Sequence, residues 1–405
     1  MSTREFQPES LPARLDQLQR NALLAGAVGL AIWGVAALVD GAHRQVHLGA
    51  YLTAYLYWLG IALGCLAIVL LHELTGGLWG FLIRRPLEAA VMTLPLMAVL
   101  FLPVVLGMKV LYPWTDLRIV EASAELRHKS AYLNVDFFLI RAAIYFIVWI
   151  VMAFVLNWGE RAQDRTEDPA PTRRLQGFSG PALVIHFLAV TFAMIDWGMS
   201  LEPLYFSTIY GPMLMIGFGL NGFAVMILVS ARLVNVRPMA DLATPVAFND
   251  LGNLLLAFVM LWAYMAFSQF LITWSGNLTE EIPFYLHRSR GLWWWVAAFL
   301  IVFHFFLPFF VLLGRENKRQ SSVLAIVAAW IATVHIVDLV WLIFPAFGPW
   351  NILAFWSFVP AMIGIGGLSV AVFTWQLKGM PLVPLHDPVL TESIEHQAVH
   401  PVSEN

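Results

Sequence analysis

Ten apolar stretches, each long enough to cross a lipid bilayer, constrain the fold of this chain of 405 residues. A membrane-spanning helix needs about 20 predominantly apolar residues. Transmembrane β-barrels show short segments of alternating polarity instead, and this sequence lacks them. Hydrophobic residues make up 60% of the chain and charged residues 12%, so the sequence predicts an all-α polytopic membrane protein. The expected spans are residues 22–40, 48–71, 87–108, 134–157, 179–200, 208–231, 252–275, 292–313, 322–344 and 352–376.

The basic residues of the loops predict the orientation of the chain. Fifteen Lys and Arg residues fall on the side of the amino terminus, among them Arg84 and Arg85, and six fall on the opposite side. Because loops on the cytoplasmic side carry the excess of basic residues, both termini are predicted in the cytoplasm. Residues 1–21 and 378–405 are then cytoplasmic segments around a membrane domain of residues 22–377. The first 21 residues lack a signal-peptide pattern.

Redox cofactors are limited by the single cysteine, Cys65, which lies in the second predicted span. One thiol cannot hold an iron–sulfur cluster or attach a c-type haem. We therefore expect no covalently bound cofactor. His186, His304 and His335 could ligate a b-type haem, but no helix carries two widely spaced histidines of the kind that stack two haems. The sequence predicts no metal site.

A short internal repeat indicates two related halves. DWGMSLEP (Asp196–Pro203) and DLVWLIFP (Asp338–Pro345) place an aspartate seven residues before a proline, in spans four helices apart. This spacing predicts two four-helix bundles, spans 2–5 (about 48–200) and spans 6–9 (about 208–345), flanked by spans 1 and 10. In membrane proteins built from such repeats, function often lies at the repeat interface. A chance match of this length is the alternative.

Ionisable residues inside the apolar spans are the first functional candidates. A charge at the bilayer centre costs about 2.5–3.5 kcal/mol on insertion scales, so such residues usually face a bundle interior or a water-filled path. Arg141 needs a carboxylate, and Asp196 on another helix is its expected partner. Asp136 is unsuitable, because five residues turn it well around the helix from Arg141. The pair has a catalytic and a purely structural interpretation.

His335 and Asp338 are three residues apart and therefore share one face of the ninth helix. Burial and neighbouring charge can tune both groups to exchange protons. They are interpreted as a proton relay or as hydrogen-bonding partners of a quinol, and the alternative is a polar pair that ties helices together.

The seventh span ends in polar residues that could form a proton exit. Tyr264 and Ser268 share one face, Gln269 adds a second polar direction, and Glu280 and Glu281 follow at the outer mouth. The alternative is that the serine bonds back to its own helix. Together with the lone His186, these residues complete the candidate set for a proton path or quinone pocket.

Four stretches resemble a known family. They are IDWGMSLEPLYFSTIYG (Ile195–Gly211), the long NDLGNLLLAFVMLWAYMAFSQFLITWSGNLTEEIPFY (Asn249–Tyr285), HFFLPFF (His304–Phe310) and VDLVWLIFP (Val337–Pro345). They resemble the second quinone-binding-type membrane subunit of bacterial alternative complex III, a quinol:cytochrome c oxidoreductase. The resemblance covers about residues 22–377 and implies a polysulfide-reductase-like (NrfD-like) fold in the inner membrane.

The resemblance also implies partners and a role. This chain looks like a cofactor-free subunit beside a sister NrfD-like subunit, an iron–sulfur subunit and haem c subunits, in contact with lipid and quinol but not with nucleic acid. Quinol oxidation is expected mainly on the sister subunit, and this chain is expected to contribute a proton path. A quinone pocket in this chain is the additional role that the resemblance allows. The alternatives are a proton-coupled secondary transporter and a b-type haem subunit.

Overall fold

The computed structural model describes residues 10–348, 351–388 and 390. All regular structure within these residues is helical, and ten of the helical segments are long and apolar enough to cross a membrane. The all-α polytopic fold predicted from the sequence is confirmed.

The ten spanning segments alternate in direction through the chain. They are α1 Ser10–Val39, α2 Arg44–Thr75, α3 Arg84–Leu106, α4 Val135–Gln163, α5 Ala170–Trp197, α6 Tyr210–Leu233, α7 Pro245–Gly276, α8 Leu292–Leu313, α9 Ser321–Ile343 and α10 Ile352–Lys378. The even number of spans returns α10 to the side where α1 begins, and the Lys378 ammonium contacts the Asp16 carboxylate at 2.5 Å. We call this the amino-terminal side.

Three helices depart from the sequence expectation or from regular geometry. Hydropathy predicts that the first span begins at residue 22, but one continuous helix begins at Ser10, because Leu11 and Leu15 are buried against the protein. The α3 segment is broken twice, and Pro95 and Pro103 stand in the first turns of its later pieces, where a missing N–H costs least. In α8, residues Ile301–Phe306 form a π-helix.

The helices pack as two groups of four with α1 and α10 outside them. In the first group α2 packs on α3 and α5, and α4 packs on α3 and α5. In the second group α6 packs on α7 and α9, and α8 packs on α7 and α9. α1 lies along α10 and touches α2, and α10 also packs along α2. The two groups meet where α2 crosses α6, and there a Cβ on Gly64 would lie 1.9 Å from the Phe218 carbonyl oxygen. Such close backbone approach is typical of small residues at membrane helix interfaces. We call α2–α5 the first bundle and α6–α9 the second.

The segment after α10 packs on the protein itself, although its polar sequence suggests that it needs a partner to become ordered. Leu382 and Val383 are buried. The Leu385 N–H donates to Asp164 Oδ1 at 2.9 Å, and Gln163 Nε2 donates to the His386 carbonyl oxygen at 2.9 Å. This segment therefore covers the amino-terminal end of the first bundle.

Candidate functional site

Arg141 and Asp196 form a bidentate ion pair in the first bundle, near the membrane side opposite to the amino-terminal side, as the sequence predicted. Arg141 Nε lies 2.8 Å from Asp196 Oδ2, and Arg141 Nη2 lies 2.9 Å from Asp196 Oδ1. The Tyr145 hydroxyl donates to Asp196 Oδ2 at 2.9 Å, and Arg141 Nη1 donates to the Tyr132 carbonyl oxygen. Both side chains are buried, whereas Asp136 is exposed at the start of α4. One positive and one negative charge are thus matched and firmly held.

A second polar group lies near the middle of the second bundle. His335 Nδ1 lies 3.3 Å from Asp338 Oδ2, and the Trp262 indole N–H donates to Asp338 Oδ2 at 3.1 Å. The His304 ring stacks on the His335 ring with centroids 5.7 Å apart. His304 and His335 are buried, and Asp338 is 13% exposed at its side chain. We call His304, His335 and Asp338 the central trio.

The local fold explains how His304 joins the pair on α9. His304 sits within the π-helical segment of α8, where the extra residue per turn shifts a side chain relative to an ordinary α-helix. Its ring stands edge-on to Trp262 at 4.2 Å between centroids. No pattern in the sequence indicates this insertion, so hydropathy predicts His304 only as a lone histidine.

The central trio lies where the second bundle meets the first. The Tyr57 ring of α2 is 6.3 Å from the His335 ring, and its hydroxyl donates to the Ala332 carbonyl oxygen at 3.1 Å. On α6, a Cβ at Gly217 would lie 2.9 Å from His335 Cε1. Gly217 therefore makes the room that the imidazole occupies, and both bundles enclose the trio.

The trio has unused hydrogen-bonding capacity. Among the described residues, neither nitrogen of His304 nor Nε2 of His335 has a hydrogen-bond partner, and His335 Nδ1 has only its close approach to Asp338. A buried polar atom without a partner is costly and calls for an explanation. Imidazoles in this state can accept or pass on a proton. The donor atoms also lie within 4.8 Å of one another, and two imidazoles with a carboxylate are a set that divalent transition metals can use.

The polar residues of α7 are not brought together into the expected exit. Tyr264 is 65% exposed and points away from the protein, Ser268 is half-buried, and Glu280 is exposed beyond the helix end. Gln269 is buried, and its amide donates to the Tyr205 hydroxyl at 2.8 Å. Five residues separate Tyr264 from Gln269, and this spacing puts them on different helix faces.

The last two candidates also lie apart from the central trio. Glu281 is half-buried next to Glu280 in the loop after α7. His186 is fully buried in α5 of the first bundle, and neither of its ring nitrogens has a hydrogen-bond partner among the described residues.

A third polar group, at the amino-terminal end of the first bundle, is not predicted by the sequence pattern. Hydropathy assigns Arg84 and Arg85 to a loop, but both are buried in the first turn of α3. They contact carboxylates from three segments, and His72 of α2 completes the group. We call this the amino-terminal cluster, and its carboxylates are Glu73, Glu88, Glu160 and Asp164. The spacing of Arg84 and Glu88, four residues apart on one helix, is the signal that could have indicated it.

Neither known protein families nor characterised proteins gave a match to this sequence.

Proposed function

We propose that this chain is the proton-conducting membrane subunit of a quinol-oxidising complex of the alternative complex III type. In this proposal, partner subunits carry the electrons to cytochrome c, and the sister subunit oxidises the quinol. The chain belongs to the bacterial inner membrane with both termini in the cytoplasm. The sequence stretches around Asp196, Gln269 and Asp338 support the assignment to this type of complex.

The observation that carries the proposal is the central trio. Apolar spans offer a proton no path, and a titratable group in their middle is costly to keep there. His304 and His335 lie near the middle of α8 and α9, where three of their four ring nitrogens have no partner in the described protein. Such nitrogens are free to accept a proton or to bond a water molecule.

Other titratable groups lie between the trio and one membrane side. The amino-terminal cluster is at that side, where α3 begins and α4 ends. A proton moving between the two sides needs carriers at intermediate depth, and the trio supplies them. Polar membrane groups that are enclosed by two bundles are also placed well to respond to a movement of one bundle against the other.

The chemistry of the trio follows from its contacts. The Trp262 indole N–H holds the Asp338 carboxylate in place. That carboxylate stabilises a proton on His335, because the two side chains approach to 3.3 Å. His304, stacked on His335, is the neighbouring site that can take the proton next, through a water molecule or a small ring rotation.

The test is Asp338→Asn in the intact complex. Asparagine keeps the size of the side chain and an oxygen for Trp262, but it cannot titrate. We expect quinol:cytochrome c turnover to fall by about 10²- to 10⁴-fold, the range of effects that one positioned proton-transfer group supplies. Asp338→Glu should restore part of the activity. Assembly is checked by the recovery of partner subunits.

Asp136→Asn is the matched control, since Asp136 is an exposed carboxylate outside the site. It should leave turnover unchanged. Unchanged turnover and unchanged pH dependence in Asp338→Asn would refute the proposal, and so would an equal loss in Asp136→Asn. A stoichiometric metal that His304→Ala removes would replace proton transfer by metal binding as the role of the trio.

A further inference from the structure

The amino-terminal cluster contains more buried negative than positive groups. Its two guanidinium groups, on Arg84 and Arg85, are 2% and 1% exposed at their side chains. The carboxylates Glu73, Glu88 and Glu160 are equally enclosed, and only Asp164 reaches 11% exposure. Four segments supply the titratable and charged side chains of this region. They are α2 with His72 and Glu73, α3 with Arg84, Arg85 and Glu88, the end of α4 with Glu160 and Asp164, and the chain after α10 with Asp387.

His72 does not add a compensating positive charge. Its Nδ1 lies 2.7 Å from Arg84 Nη1, and because a guanidinium can only donate, Nδ1 must accept. Its Nε2 then carries the hydrogen and donates to the Gly77 carbonyl oxygen at 3.0 Å. This pattern fits a neutral imidazole.

The charges therefore fail to balance. Among the contacts of the described residues, two guanidinium groups face four carboxylates, so full ionisation would leave a net charge of −2. An uncompensated charge is expensive to bury, and buried groups respond by taking up protons. At least one carboxylate in the cluster is expected to be protonated.

The contacts indicate which carboxylates share that proton. Glu73 and Glu160 both contact the same nitrogen, Nη2 of Arg84, so their oxygens are close neighbours. Two carboxylates that share a site cannot both ionise easily. Glu73 is the least compensated of the three, because its only cationic contact is Arg84 Nη2. Glu88 accepts from Arg84 Nε at 2.8 Å and from Arg85 Nη1 at 2.7 Å, and Glu160 Oε2 lies 3.6 Å from Arg85 Nη1 in addition to its contact with Arg84.

The cluster is not closed by its own hydrogen bonds. Arg85 Nε is buried and has no acceptor among the described residues, so the group has a donor left for a water molecule or another small ligand. Asp164 lies next to it, 2.5 Å from Arg85 Nη2, and burial raises the pKa of the Asp164 carboxyl above its ordinary value. Asp164 is the member of the cluster nearest to solvent.

The segment Gly379–Asp387 covers this point of access. Leu385 N–H bonds Asp164 Oδ1 at 2.9 Å, and the His386 carbonyl oxygen accepts from Gln163. Leu382, within this segment, is 1% exposed and anchors it on the protein. These contacts leave the Asp164 side chain 11% exposed.

We propose that Glu73 and Glu160 share one buried proton, and that the segment Gly379–Asp387 controls the exchange of this proton with solvent through Asp164. The role of the cluster as the point where protons enter a path toward the central trio rests on the proposed function. The existence of the shared proton does not depend on that function.

Infrared difference spectroscopy of the full chain in lipid nanodiscs tests the shared proton. A protonated carboxyl group gives a carbonyl stretch that ionised carboxylates lack, and we expect one such buried group at neutral pH. Glu73→Gln should remove it. Glu202→Gln is the matched control, because Glu202 is paired with Arg288 at 3.0 Å in a balanced ion pair, and this variant should keep the band. Absence of the band in the unmodified chain, or its persistence in both Glu73→Gln and Glu160→Gln, overturns the proposal.

The rate at which the proton of this carboxyl group exchanges in D₂O tests the role of the segment Gly379–Asp387. Leu382→Ala loosens the segment without touching a charged group, and it should speed exchange at least about tenfold. Phe355→Ala, at a 45% exposed position on α10, should leave the rate unchanged. An unchanged rate in Leu382→Ala overturns the role of the segment. Asp338→Asn should change neither the carbonyl band nor its exchange rate. A negative result for the proposed role of the central trio is therefore distinguishable from a negative result for this cluster.

Discussion

Replacement of Asp196 by asparagine should destabilise the first bundle strongly. The substitution keeps the shape of the side chain but removes the negative charge that faces the Arg141 guanidinium. Arg141 Nε and Nη2 then lose charge-assisted hydrogen bonds of 2.8 and 2.9 Å, and the cation stays buried. Breaking a buried ion pair by removing one partner costs about 3–5 kcal/mol. Asparagine still offers one oxygen, so we expect a value near the lower end of that range, about 3 kcal/mol.

Two further variants separate the charge from the packing. Tyr145→Phe removes only the hydroxyl that donates to Asp196 Oδ2 and should cost about 1.5–3 kcal/mol, as is usual for a hydrogen bond to a charged group. The double variant Arg141→Met, Asp196→Leu removes both charges together. It should recover most of the stability lost in Asp196→Asn, since apolar replacement of a buried pair is often neutral or stabilising.

Reversible unfolding of the full chain in mixed detergent micelles provides the measurement. Asp136→Asn, at an exposed site, serves as the control and should change the free energy of unfolding by less than about 0.5 kcal/mol. A loss below about 1 kcal/mol in Asp196→Asn would refute the reasoning, since it falls well short of the cost of an unpaired buried charge. So would a double variant that is no more stable than Asp196→Asn, because the loss would then come from packing and not from the unpaired cation.

Three other measurements follow from the packing and from the central trio. Gly64→Ala should cost several kcal/mol, since the new Cβ would lie 1.9 Å from the Phe218 carbonyl oxygen, whereas Gly34→Ala meets nothing within 4 Å and should stabilise α1 by about 0.5–1 kcal/mol. Equal unfolding curves for both variants would contradict the close crossing of α2 and α6. Trp262→Phe removes the donor to Asp338, so turnover should fall less than in Asp338→Asn and show a shifted pH profile; an unshifted profile would mean that this bond does not tune the carboxylate. The purified chain alone should show no Soret band in its visible spectrum, and a stoichiometric b-type haem would contradict this.

The sequence predicted the features that depend on helix periodicity and on the cost of charge in an apolar segment. The ten spans follow from hydropathy alone. Arg141 and Asp196 can be paired from the sequence, because each is too costly to leave alone and both lie near the same membrane side. His335 and Asp338 can be placed on one face because their spacing fixes it.

The features that the sequence does not predict depend on how backbone irregularities and tertiary packing place a residue. His304 reaches the trio through a π-helical segment, which hydropathy cannot reveal. Arg84 and Arg85 resemble loop residues, since a cation beside the end of an apolar stretch normally reaches water. They are buried because Glu73 and Glu160 arrive from other helices, and that meeting is a property of the tertiary fold. Composition alone suggests that Tyr264 and Gln269 act together. They lie on different faces of α7, and only the face that carries Gln269 is turned toward the protein interior.

Charge balance distinguishes the three polar groups and their roles. Arg141 and Asp196 carry one charge of each sign and satisfy each other's hydrogen bonds, so the pair is suited to hold helices together and ill suited to give up a proton. Within the described part of the chain, the central trio has no cationic partner other than its own imidazoles, and the amino-terminal cluster has fewer cations than carboxylates. In both unbalanced groups a change of protonation relieves the imbalance, which a neutral pair does not need. Proton exchange is therefore expected at Glu73, Glu160 and the trio, and structural stabilisation at Arg141 and Asp196.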